Sequence, residues 1–223
     1  MRAFLSVVGL VGAVVLPFSA SYSAESAAPE AIVVLFDNGP MNHVNGLGVT
    51  VAENADDFEL SMSADTTSAR IGITDIDSMS FPENWDGLVK WFIYTDNAGL
   101  PGTRLMAGTG RDTSYVLESS FPPYEFYWLS FNLNRQVTLD VGVRYWFAIN
   151  LNRSLTTTAG IGWAASTDLN YSPGAFNNPY GSGVYEPWVL DFSFVLSSNT
   201  EVNYLFADGF ETGDFQFWSS HQP

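Results

Sequence analysis

The stretch EFYWLSFNL, Glu125–Leu133, constrains the fold more than any other part of the chain. With a period of two, Tyr127, Leu129, Phe131 and Leu133 fall on one face, and Phe126, Trp128, Ser130 and Asn132 on the other. The first face is apolar throughout, as expected of a strand that buries one side. VRYWFAINL repeats the pattern, with Val143, Tyr145, Phe147, Ile149 and Leu151 together. Further short β-like runs lie at Ile32–Phe36, Leu47–Val51, Asp56–Leu60, Ala69–Ile76, Leu88–Thr95, Arg104–Gly110, Ser114–Ser119, Gly160–Ala165 and Trp188–Leu196. Between them stand DNGP, DNAGLPG, FPP, SPG and NNPYGSG, whose Gly, Pro, Asn and Asp residues punctuate chains. No stretch sustains a helical period with caps. Many short strands separated by turns predict an all-β fold, an antiparallel sandwich of the jelly-roll kind, with a closed barrel as the alternative.

The ends read differently from the middle. Arg2, the uncharged and mostly apolar run Phe4–Phe18, and small residues from Ser19 to Ala24 come in the order of a secretory signal peptide. The run is shorter than the ~20 apolar residues a membrane span needs. Residues 1–24 are therefore read as a signal, 25–31 as a polar linker, 32–198 as the sandwich and 199–223 as a tail. No later stretch is apolar enough to span a membrane, so a secreted or surface-attached protein is expected.

Charge excludes some partners. There are 24 acids against 8 Lys plus Arg, a net charge of −16, and Lys90 is the only lysine. Nucleic acid is not expected as a partner, because nothing here would neutralise its phosphates. The chain has no cysteine. Thiol chemistry and cysteine-held metals are thereby removed, and a domain of this length can be stable without disulfides.

Four segments come in a particular order: LFDNGPMNHVNGLG at Leu35–Gly48, ADDFEL at Ala55–Leu60, VKWFIYTDNAGLPGTRLMAGTG at Val89–Gly110 and VGVRYWFAINL at Val141–Leu151. This order resembles uncharacterised secreted bacterial β-sandwich domains, several of which occur in proteins with C-terminal sorting tails. The resemblance implies a jelly roll in an extracellular or cell-surface setting, and no activity. The tail is similar to a short segment that ends many unrelated secreted bacterial proteins. The matching positions are Phe206, Asp208, Gly209, Phe210, Glu211, Gly213, Asp214, Trp218 and Ser219. Phe215-Gln216-Phe217 departs from that pattern. The segment reads as a label for secretion or attachment machinery, with a final strand or a metal loop as alternatives.

Three kinds of chemistry are open to such a chain. Two histidines, His43 and His221, and no nucleophile-elbow pattern speak against a Ser–His–Asp hydrolase. Glycoside hydrolysis needs only two carboxylates ~5–10 Å apart. Glu118, Glu125, Glu186 and Asp191 are the candidates, though charges on strands also serve simply to guard sheet edges. One structural calcium ion would need six to eight oxygens. Asp37, Asp56, Asp57 and Asp96 are its candidate ligands, beside the plain reading of Asx turns. Glycan binding needs exposed rings. Trp85 lies in a predicted loop, Trp128 on the polar face of its strand, and Tyr171, Phe176 and Tyr180 in the long segment between Asp168 and Tyr185. The expected function is non-catalytic attachment to a glycan, a matrix component or a surface protein. A carbohydrate-active hydrolase and a structural envelope subunit are the alternatives.

Overall fold

A computed structural model describes residues 32–75, 81–83, 85–153, 160–169, 172–177 and 182–198. The tail segment Phe206–Ser219, Tyr171 and Tyr180 lie outside the described residues. Twelve strands follow in chain order. They are β1 (Val33–Asp37), β2 (Met41–Gly48), β3 (Glu53–Glu59), β4 (Ala64–Asp75), β5 (Trp85–Asp96), β6 (Pro101–Phe121), β7 (Tyr124–Leu139), β8 (Arg144–Arg153), β9 (Ile161–Ser166), β10 (Ala175–Asn177), β11 (Glu186–Pro187) and β12 (Phe194–Ser198). The fold is all-β, and every strand pairing is antiparallel.

The strand order is β1-β12-β4-β7-β6-β5-β8-β3-β10-β11, with β9 beside the end of β4 and β2 beside β9. This is one curled sheet whose two halves face each other like the layers of a sandwich. The curl is carried by β6. Its first part pairs with β5 from Pro101 to Thr109, and its second with β7 from Gly110 to Phe121. The strand changes layer near Asp112, which has a φ of 51°. Glycine lets the strand make this crossing close to its neighbours. A Cβ on Gly108 would stand 2.5 Å from the Trp91 ring, and one on Gly110 2.9 Å from Phe131.

The core forms where the two halves face each other. Tyr127, Leu129, Phe131 and Leu133 of β7 and Tyr145, Phe147, Ile149 and Leu151 of β8 all turn inward, as their alternation predicts. They meet Ile71 and Ile73 of β4, Trp91 and Ile93 of β5, Phe58 of β3, and Phe194 and Leu196 of β12. Trp163 stacks on Phe192 at 4.7 Å and meets Phe194 edge-on at 5.7 Å. Each such side chain contributes ~1.5–3 kcal/mol by leaving water.

The outer faces carry smaller apolar layers. On the β4–β7 half, Met41, Phe126 and Ala164 pack beneath Trp128. On the other half, Ala55, Phe92, Tyr94, Trp146, Ala148 and Ala175 pack beneath Leu100 and Tyr185. Ala175 and Tyr185 come from the segment expected as a long loop. That segment contains β10, which extends the sheet beyond β3, and β11 pairs with β10.

Candidate functional site

The outer face of the β5–β8–β3 half holds a groove with about 370 Å³ of room, lined by Glu53, Phe92, Tyr94, Arg104, Asn177 and Tyr185 among others. Strand pairing explains the gathering. Glu53 opens β3 opposite Asn177 of β10, and Tyr94 of β5 stands opposite Arg104 of β6. The β5–β6 hairpin forms one wall. Asn97 and Leu100 exchange backbone bonds at 2.8 and 3.3 Å across Ala98 and Gly99, which both have positive φ. That is the geometry of a type I′ turn, which suits the twist of a hairpin. Along the hairpin runs a second, more polar trough of about 520 Å³, lined by Thr95, Asp96, Asn97 and Thr103. The two share Pro101, Gly102 and Gly183.

Glu53 is the buried charge in the groove, 4% exposed. Its carboxylate accepts from the Tyr94 hydroxyl at 2.5 Å and from the Tyr185 hydroxyl. Burial pushes the Glu53 carboxyl above its usual range, against the opposing effect of the two phenols and the Arg104 charge. Burial, with the acid beside them, raises both tyrosine hydroxyls as well. The rings of Tyr94 and Tyr185 meet edge-on at 5.6 Å and 73°. The carboxylate thus fixes two aromatic side chains in one orientation. An arginine, an asparagine and a half-buried tyrosine then line one recess, with an apolar floor beneath polar hydrogen-bonding groups. That combination suits a hydroxyl-rich ligand.

The rings chosen from sequence are not brought together. Trp85 donates from Nε1 to the Leu88 carbonyl at 3.2 Å and stacks on Phe81 at 5.2 Å, so it closes one end of the core. Trp128 lies on the outer face of the other half, as expected there, but the Arg70 guanidinium sits 4.2 Å from its ring centroid. Phe176 meets Trp188 edge-on at 6.1 Å, and its neighbour in the strand, Asn177, is the residue that lines the groove.

The acids are dispersed in a similar way. Asp37 accepts from Gly39 N at 2.9 Å in a turn. Asp96 accepts from Gly99 N and, at 2.9 Å, from Trp146 Nε1. Asp56 is fully buried and accepts from Asn38 Nδ2 and Phe192 N, tying β3 to the segments beside β1 and β12. Burial pushes its carboxyl well up, helped by the Asp191 charge. Asp57 accepts from Ser172 N at 3.2 Å and lies 3.6 Å from Arg144 Nε, and burial raises it to about 6. Among the described residues, no group of three or more His, Asp or Glu side chains is arranged to hold a metal ion.

The four candidate catalytic carboxylates are likewise engaged or apart. Glu118 pairs with His43 at 3.2 Å, and Glu125 accepts from the Tyr127 hydroxyl. Glu186 is exposed on β11, at the far end of the sheet from Glu125 on β7. Asp191 is buried. No family model, no curated protein and no solved structure matches this chain. Among the described residues, no helix is long and apolar enough to cross a membrane.

Proposed function

We propose that this chain is a secreted attachment protein whose sandwich binds a neutral glycan in the groove around Glu53. The observation that carries the reading is the recess itself, where Tyr185 and Arg104 stand over a buried, doubly hydrogen-bonded Glu53. Hydroxyls of a sugar can bond to Arg104, Asn177 and the residues of the neighbouring trough, while its apolar face rests against Tyr185. The protein's net charge of −16 favours neutral over anionic glycans.

The test is retention on a panel of neutral polysaccharides, with Arg104→Ala and Tyr185→Ala as variants. Arg104 is exposed, so its loss should leave melting unchanged while retention falls about tenfold or more, the effect of losing a charged hydrogen bond of ~1.5–3 kcal/mol. Equal retention by wild type and both variants would remove the groove as the site.

A second reading is hydrolysis. The burial of a carboxyl at the floor of the groove favours it, since burial raises Glu53 above its usual range and general acids are tuned in that direction. Release of reducing ends that is lost in Glu53→Gln would favour the enzyme over the binder.

A further inference from the structure

We infer, resting on the reading of the groove as a sugar site, that the trough along the β5–β6 hairpin is a second subsite, so that the ligand is a chain of at least two linked sugar residues lying across both recesses. The recesses stand in series on one ladder. Tyr94 of β5 is opposite Arg104 of β6, and both line the groove. Two residues further along β5, Asp96 is opposite Pro101, and both line the trough. Two strand residues span ~7 Å, a step of the same order as that between neighbouring rings of a glycan chain.

Room and chemistry separate the two recesses. The groove holds about 370 Å³ and the trough about 520 Å³, each above the ~300 Å³ at which ordinary small-molecule pockets begin. Phe92, Tyr94 and Tyr185 give the groove an apolar wall. Among the described residues no aromatic ring lines the trough, so it holds a sugar by hydrogen bonds alone. Thr95 Oγ1 accepts from Thr103 N at 3.0 Å, and Asp96 accepts from Gly99 N and Trp146 Nε1, which fixes the shape of the trough. The Asn97 amide and the Thr103 hydroxyl are exposed and have no hydrogen-bond partner among the described residues. Such groups bind an isolated sugar weakly, because each bond replaces one to water. A sugar linked to another already seated in the groove arrives at high effective concentration. The trough therefore contributes to the binding of a chain and little to that of a single residue.

Glycine keeps the passage between them clear. Gly102 lines both recesses. A Cβ there would stand 2.9 Å from Thr95 Oγ1 and 3.0 Å from Asn97 Cβ, so any side chain would press into the trough where it meets the groove.

The test is equilibrium titration of the full chain with glucose, mannose, galactose and xylose and with their β-1,3- and β-1,4-linked dimers. In the series that binds, the dimer should bind about tenfold more tightly than the single sugar, the effect of two further neutral hydrogen bonds. The double variant Asn97→Ala, Thr103→Ala should abolish that gain while its melting and its affinity for the single sugar stay unchanged. Arg104→Ala should weaken both ligands alike. Equal affinity for single sugar and dimer, or a double variant that keeps the gain, overturns the second subsite and leaves the groove standing as a sugar site. Binding of no sugar in any series overturns both.

Discussion

Asp57→Asn tests whether burial or pairing governs the acids of β3. Asp57 has an arginine 3.6 Å away and two bonds from Ser172 N, yet its side chain is 1% exposed and its carboxyl stands at about 6. Its folded value is thus above the ordinary 3.8. A carboxyl raised in this way contributes stability that is fully present below pH 3.8 and is lost as the pH rises through about 6. The amount linked to that rise is about 3 kcal/mol. Asparagine keeps the shape and an acceptor for Ser172 N but cannot ionise. Below pH 4, where Asp57 holds its proton in both states, the variant should match wild type or fall slightly short of it. By pH 8 it should have gained about 3 kcal/mol on wild type. Urea denaturation of both proteins at intervals from pH 4 to 8 reads the difference directly. If the variant instead loses ground to wild type as the pH rises, the Arg144 pair outweighs burial and the reasoning fails.

Other outcomes follow from the same geometry. Gly108→Ala sets a methyl group against Trp91 and Asn134 Oδ1 and should cost ~1–3 kcal/mol by overpacking; a melting temperature equal to wild type would show that β6 yields there. Asn38→Ala removes a bond to the buried Asp56 and one to the Phe192 carbonyl, and should cost ~1–3 kcal/mol in a chemical melt. Added calcium should leave the melting temperature unchanged, because the four candidate aspartates are spent on separate donors; a rise reversed by chelator would contradict this. A chain ending at Asn203 should move from the cell surface to the medium with unaltered melting. An unmoved protein that melts lower would make the tail a structural element.

Alternation in Glu125–Leu133 and Val143–Leu151 identified the faces that turn to the main core, because period two depends only on local geometry, but Val143 precedes β8 and is exposed, and Phe126, Trp146 and Ala148 on the opposite faces are buried in the smaller outer layers. Strand ends were less legible. Arg104–Gly110 and Ser114–Ser119 read as two separate strands; the structure runs β6 through Arg111-Asp112-Thr113 between them, with the layer change at Asp112. Leu47–Val51 reads as one strand, whereas β2 begins at Met41 and ends at Gly48. The groove was not legible at all. Glu53, Tyr94, Arg104, Asn177 and Tyr185 meet only because β3 lies between β8 and β10. Periodicity indicates which way a residue faces and says nothing of which rows become neighbours. Trp85 and Trp128 drew attention as large rings outside obvious core positions, yet Phe81 and Arg70 already occupy a face of each.

The pairing of β1 with β12 has a mechanical consequence. Val33 stands opposite Ser198, so the first and last described strands are neighbours whose outer ends coincide. Tension applied between those two points acts across the strands and loads their hydrogen bonds one at a time, as in opening a zip. A load carried from Ser198 to the groove runs instead along the covalent backbone between β12 and Tyr185 of the groove, with the Phe192 N–Asp56 bond tying that segment to β3. A domain held at Ser198 and pulled at the groove would resist far more than one stretched between Val33 and Ser198.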